Sequence, residues 1–276
     1  MDVIQRNNVQ QLLHASPHAP VLLYAHGFGC NQDMWQLLTP EFSSSHRQIV
    51  FDYVGSGKSD VHAFDPDRYG SLLGYAQDLI EVYDALELSN NVTFVGHSVS
   101  CSIGILASLQ RPELFSHMIL VGPSPCFLND PPNYSGGFER EDLEALLELM
   151  DQNYIGWAHY FAPLVAGSDS DQPLTSQLTG SFCSTDPVMA RRFAQATFFS
   201  DIREDLGRCT IPSLILQHRR DALVPLHVGE YLKSHLNNSR LEIMDVTGHC
   251  AHMSHPQLVA ANVYQYLSRS NSCVLP

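Results

Sequence analysis

The run Val92-Thr93-Phe94-Val95-Gly96-His97-Ser98-Val99-Ser100 governs the reading of the rest of the chain. Val92 to Val95 is a short apolar segment, and beyond the turn Ile103, Leu106, Ala107 and Leu109 recur at helical spacing. The stretch reads as strand, sharp turn and helix, with a serine at the turn. Such a serine is held in strained backbone geometry with its hydroxyl presented outward, and the helix start behind it offers N–H groups and a positive dipole end to an oxyanion. Glycines flank a serine of this kind because strand and helix approach too closely for Cβ atoms. Here the second glycine position holds Ser100, which a small residue fills at some steric cost. An ordinary strand-to-helix turn is the plain alternative; the setting favours Ser98 as a nucleophile.

Working outward, similar apolar runs occur at Pro20 to Tyr24, Gln48 to Phe51, His117 to Val121, Ser213 to Gln217 and Leu241 to Val246. Runs with little alternation, separated by amphipathic helices, indicate parallel strands covered on both faces, hence a doubly wound α/β sheet. Between Gly70 and Leu86 the residues Leu72, Leu73, Ala76, Leu79, Ile80, Tyr83 and Leu86 form one apolar helix face. Leu226 to Leu236 and Pro256 to Leu267 read likewise, the latter with Leu258, Val259, Val263, Tyr266 and Leu267 as its stripe. From about Phe127 to Phe199 the alternation of strand and helix breaks, opening with the loop Asn129-Asp130-Pro131-Pro132. The expected organisation is a core formed by 1–126 and 200–276, with 127–199 as an inserted helical cap rich in aromatic rings.

The formal charge of -14, from 29 acidic and 15 basic side chains, repels a phosphate backbone and argues against a nucleic-acid partner. The first twenty residues lack a basic start followed by a long apolar run, and no window reaches the length of a membrane span. A cytoplasmic protein without a membrane partner is the expectation. Seven scattered cysteines without a C-x-x-C pair argue against a disulfide framework or a zinc ribbon and suggest mostly buried, reduced thiols.

A serine hydroxyl needs a base within hydrogen-bond reach, and the base needs an orienting carboxylate. In a fold of this type the order is serine, acid, histidine. Asp221 follows the strand Ser213 to Gln217, and His249 follows the strand Leu241 to Val246, both at the carboxyl edge where ligands gather. Asp205 precedes its strand and Asp245 lies inside one, so Asp221 fits best. The loop His26-Gly27-Phe28-Gly29-Cys30 offers the Phe28 amide as an oxyanion donor beside that of Val99. Two other motifs compete. Gly57-Lys58-Ser59 resembles the end of a phosphate loop, but that pattern requires glycine where Asp52 stands. The run His249-Cys250-Ala251-His252-Met253-Ser254-His255 offers zinc-ligand spacings, yet a metal site leaves Ser98 unexplained. The expected chemistry calls for no cofactor and no metal.

Several segments carry a further resemblance: HGFGCNQDMW (His26 to Trp35), FDYVGSGKSD (Phe51 to Asp60), FVGHSV (Phe94 to Val99), the run Arg111 to Tyr134, FCSTDPVMARRFA (Phe182 to Ala194), FFSDIREDL (Phe198 to Leu206) and GHCAHMSHP (Gly248 to Pro256). Along nearly its whole length the chain resembles RsbQ-like α/β hydrolases of the bacterial stress response and, more distantly, the plant strigolactone and karrikin receptors. The resemblance implies an α/β-hydrolase fold with a four-helix cap, a catalytic Ser98, Asp221 and His249, and oxyanion amides at Phe28 and Val99. It also implies a closed pocket for a small hydrophobic substrate, bordered by Phe28, Phe127, Trp157, Phe161, Phe182 and Phe198, and a partner phosphatase with a sensor domain. Ser100, the pair Arg219-Arg220 and the stretch Gln10 to Ala19 depart from the family pattern. An esterase and a ligand-sensing receptor with slow or single turnover are the two readings of function. A C–C hydrolase, dehalogenase or haloperoxidase on the same scaffold is a further rival, of which the dehalogenase is disfavoured because it has aspartate where Ser98 stands.

Overall fold

The computed structural model describes residues 2–12, 16–88, 91–167 and 172–272. Its sheet contains β1 (Gln10–Leu12), β2 (Val21–Ala25), β3 (Arg47–Val50), β4 (Val92–His97), β5 (His117–Val121), β6 (Ser213–Arg220) and β7 (Ser239–Thr247) in the order β1-β3-β2-β4-β5-β6-β7. Every pairing is parallel except the antiparallel edge β1–β3. The six apolar runs of the sequence each became a strand. The edge strand β1 was not anticipated, because three residues reading Gln-Gln-Leu carry no pattern of their own and pair only through their neighbour. The central strands β2 and β4 are buried at every position, as expected where helices cover both faces.

Helices α1 (Leu72–Ala85), α2 (Val99–Gln110), α7 (Leu226–His235) and α8 (Pro256–Ser272) flank the sheet. Leu72, Ala76, Leu79, Ile80 and Tyr83 of α1 are buried, and Leu86 packs on the core from its end. Leu73 and Leu258 depart from their expected stripes: they are 55% and 40% exposed. Each sits about 100° around the helix from a buried neighbour, Leu72 or Val259, so the apolar face is narrower than the leucine count suggests.

Among the described residues between β5 and β6 lie the α-helices α3 (Arg140–Gln152), α4 (Tyr154–Ala166), α5 (Gln172–Ser184) and α6 (Pro187–Phe198). Their starts follow local chemistry. The Asn153 side chain accepts from the Gly156 N–H at the head of α4, and Asp186 accepts from Val188 and Met189 at the head of α6, with Pro187 supplying a preset φ. No helix among the described residues is long and apolar enough to cross a membrane.

The chain winds one way from β2 to β3 and the other way from β4 through β7, so the topology reverses between neighbours β2 and β4. At such a reversal the loops leaving the carboxyl ends diverge and open a crevice. The loop after β2 begins at His26, and the turn after β4 is Ser98.

Candidate active site

Ser98 sits between β4 and α2 with φ 55° and ψ -123°, a left-handed conformation that a non-glycine residue occupies only under constraint. The constraint is visible: the Ser98 N–H donates to the Val121 carbonyl at 2.9 Å, and the Cys101 N–H donates back to the Ser98 carbonyl at 2.9 Å. Pinned from β5 and from the first turn of α2, the backbone aims the hydroxyl away from the sheet.

The Ser98 hydroxyl donates to His249 Nε2 at 2.8 Å, and His249 Nδ1–H donates to Asp221 Oδ2 at 2.6 Å. Asp221 stands immediately after β6. Its other oxygen accepts the N–H groups of Leu223 at 2.8 Å and Val224 at 3.2 Å, which fixes the carboxylate plane. His249 follows Gly248, whose φ of +94° and whose N–H bond to the Arg220 carbonyl bend the chain out of β7. The His249 backbone is then gripped from two sides: its N–H donates to the Val165 carbonyl of α4 at 2.8 Å, and its carbonyl accepts from His97 Nε2 at 3.0 Å. Three groups from distant positions thus form one hydrogen-bonded line, all nearly inaccessible to solvent.

Burial alone raises a carboxyl's pKa, but at Asp221 the neighbouring His249, with further hydrogen bonding from His218, outweighs it and holds the group well below the usual range. The acid therefore stays ionised and keeps the His249 tautomer with Nδ1 protonated, leaving Nε2 free to accept from Ser98. Sequence reading did not single out His218. It is fully buried, donates from Nδ1 to the Gly248 carbonyl at 3.0 Å and lies 3.5 Å from Asp221 Oδ2, so Asp221 is flanked by two imidazoles. Its place three residues before the acid was the available signal. The sequence pattern places His97 in the turn without a further role; its ring braces the His249 carbonyl. The rejected acids stand apart: Asp245 is an exposed partner of Arg219 and Arg220, and Asp205 pairs with Arg208.

The loop after β2 passes under Ser98. His26 Nε2 accepts from the Tyr53 N–H at 3.1 Å and Nδ1–H donates to the Gly27 carbonyl at 2.9 Å, which sets a neutral ring. Burial lowers its pKa in the same sense. Gly27 lacks a Cβ because one would sit 2.4 Å from His97 Nδ1, and Gly29 (φ +71°) because one would sit 2.4 Å from the Phe182 ring. Ser181 of α5 donates to the Gly29 carbonyl at 2.8 Å and so ties the loop to that helix. Among the described residues the Phe28 and Val99 N–H groups donate to no protein acceptor. Ser100, the departure from glycine, is accommodated: fully buried, it donates to the His26 carbonyl and lies 3.2 Å from the Tyr53 hydroxyl.

Above this constellation is a narrow cavity of about 20 Å³ bordered by Ser98, His249, Phe28, Phe127, Phe161 and Phe198, together with Val165, Thr197, Leu223, Cys30, His97 and Cys250. Trp157 and Phe182, expected on the wall, do not border it. They form a second layer: Trp157 packs 5.9 Å from Phe28 and 5.4 Å from Phe161, and Phe182 lies 5.9 Å from Phe161. Both are fully buried and pack against the lining rings from outside the cavity. A larger open cleft lined by Asn31, Asp33, Gln177 and Ser184 contains no histidine.

The competing motifs resolve on the same terms. Gly55 to Ser59 is a tight turn around Asp52, whose carboxylate accepts the Lys58 N–H at 2.9 Å and the Gln32 N–H at 2.8 Å, placing a negative charge where a phosphate loop needs donors. In the histidine-rich run, His255 is exposed while His252 is buried, so the run does not converge on one point. His97, Cys250 and His252 do bring ligand atoms within 4.8 Å of one another, as do His218, Asp221 and His249. In the first group His97 Nε2 is already engaged with the His249 carbonyl at 3.0 Å. Among the described residues the cysteines are free, five of them buried and Cys183 half-buried; Cys273 lies outside the described residues.

A parallel sheet that reverses direction beneath a serine at a strained strand-to-helix turn defines the architecture of a known class, and residues 20–256 match the family model described as alpha/beta hydrolase fold. The chain belongs to that family. It is 40% identical over 240 residues to a rice (Oryza sativa subsp. japonica) protein named as a probable esterase, covering 87% of this chain and 88% of the other. It is 37% identical over 260 residues to karrikin insensitive 2 receptor CA of Petunia hybrida, covering 94% and 95%. Among solved structures, a hydrolase from Oleispira antarctica superimposes with a TM-score of 0.93 at 47% identity, covering 97% and 96%.

Proposed function

We propose that the chain is a serine hydrolase acting on a small hydrophobic ester or lactone-like compound through an acyl-enzyme. The observation that carries this reading is the continuous line from Ser98 Oγ to His249 (2.8 Å) to Asp221 (2.6 Å), at the floor of an apolar cavity. Ser98 Oγ attacks the carbonyl as its proton passes to His249 Nε2, and Asp221 stabilises the imidazolium that forms. The tetrahedral oxyanion is taken by the Phe28 and Val99 N–H groups, each contributing on the order of 3 kcal/mol to barrier lowering. His249 returns the proton to the leaving alcohol, then activates water to release the acyl group. Residues 127–199 act as a lid whose inner aromatic face excludes bulk water from this sequence of steps. Replacing Ser98→Ala is expected to lower turnover of nitrophenyl acetate by more than about a thousandfold without changing the melting temperature appreciably. Undiminished hydrolysis by that variant ends the assignment.

A second reading is a ligand-sensing receptor that turns over slowly or once and acts through a protein partner. The bond from the His249 N–H to the Val165 carbonyl favours it, because the base is tied directly to a helix of the lid and any acyl group on Ser98 or His249 is felt there. The likeness to a protein named a receptor points the same way. A phosphatase with a sensor domain is the partner that the RsbQ-like resemblance suggests. A burst of one equivalent followed by negligible turnover selects the receptor reading; sustained turnover selects the enzyme.

A further inference from the structure

Thr197, near the end of α6, is 1% exposed, and its Oγ1 is buried without a hydrogen-bond partner. A threonine inside a helix ordinarily hands its hydroxyl to the carbonyl one turn back, as Thr179 does with Thr175 at 2.8 Å. Thr197 does not. Its main chain is satisfied independently, since the Thr197 carbonyl accepts the Ser200 hydroxyl at 2.8 Å, so the helix end does not depend on the side chain. Buried hydroxyls without partners are rare in folded proteins and call for a reason.

The position supplies one. Thr197 borders the same cavity as Ser98 and His249. Apart from that pair, His97 and the thiols of Cys30 and Cys250, the rest of the wall is hydrocarbon: Phe28, Phe127, Phe161, Val165, Phe198 and Leu223. A ligand pocket of this kind takes its orientation from the few polar groups set in an apolar wall. We infer that Thr197 is the polar recognition residue of this cavity, and that the substrate is an ester or lactone carrying at least one oxygen beyond the reacting carboxyl group. The inference rests on the ester-hydrolase reading of the cavity and narrows its substrate class. The hydroxyl both donates and accepts, so a ketone, an ether or a free hydroxyl on the substrate satisfies it. A purely hydrocarbon acyl chain leaves it unpaired, and sites built to hydrogen-bond a substrate group discriminate strongly against analogues that lack it.

Matched nitrophenyl esters test this. Methoxyacetate is compared with butyrate, and 4-oxopentanoate with 4-methylpentanoate; within each pair an oxygen function replaces a carbon group of similar size. The measured quantity is the ratio of kcat/KM for the oxygenated ester to that for its hydrocarbon match, which cancels much of any general effect on the site. In Thr197→Val, which keeps the shape and removes the hydroxyl, the ratio is expected to fall about tenfold relative to the parent protein for at least one pair, as the loss of one hydrogen bond predicts. Thr197→Ser retains the ratio and Thr197→Ala loses it, which gives the same comparison should the valine variant fail to fold. A ratio unchanged in both the valine and alanine variants overturns the inference. Ser98→Ala, assayed with the same esters, separates the two levels: continued hydrolysis there defeats the hydrolase reading itself, whereas its abolition together with unchanged Thr197 ratios defeats only the substrate assignment.

Discussion

Ser100 shows how a residue that breaks a family pattern is stabilised locally. The usual glycine is favoured because strand and helix crowd one another, yet the serine hydroxyl here reaches the His26 carbonyl and the Tyr53 hydroxyl, linking the first turn of α2 to the loop that carries Phe28. Ser100→Gly removes those bonds and places glycine within a helix, so it is expected to lower stability by about 1–2 kcal/mol, seen as a melting temperature lower by a few degrees. A variant as stable as the parent indicates that the crowding relieved equals the bonds lost. The same scale explains why Asp221 and not Asp245 faces the base. Asp221 is the first residue beyond β6 and meets His249, while Asp245 lies within β7, exposed and bound to arginines.

At the scale of the element, α1 separates what a hydrophobic pattern shows from what it leaves out. Leu79 is fully buried and Leu73 is 55% exposed, although both match the apolar spacing read from sequence. Truncating Leu79→Ala is therefore expected to cost about 2–5 kcal/mol, whereas Leu73→Ala stays within about 0.5 kcal/mol. Equal losses in chemical denaturation contradict the orientation of α1. The aromatic rings of α4, α5 and α6 behave similarly: sequence supplied them, while the packing of these helices decided that Phe161 and Phe198 border the cavity and that Trp157 and Phe182 stand behind them.

Across the whole molecule, buried histidines set a response to acid. Burial lowers the pKa of His26, His97 and His252, in His26 against an opposing pull from Asp52, and in the other two with help from neighbouring imidazoles. In the unfolded chain each titrates near 6.5. Below that pH the unfolded chain takes up protons that the folded one refuses, so the stability they contribute is complete above about pH 6.5 and is lost as pH falls toward the folded values, at about 1.4 kcal/mol per pH unit for each group. Asp221, held below the usual carboxylate range, adds a loss of the same sign that begins only below about pH 3.9. The melting temperature should fall steadily from pH 7 to pH 5; a flat profile there excludes neutral burial of these rings. The six main strands, the turn at Ser98 and the places of Asp221 and His249 beyond their strands were legible in the sequence, because hydrophobic period and glycine placement are local properties written residue by residue. The edge strand β1, the layering of the aromatic rings, the bracing of His249 by His97 and Val165, and the unpaired hydroxyl of Thr197 were not. Each depends on which distant surfaces meet when the sheet closes, and only close packing of the folded chain determines that.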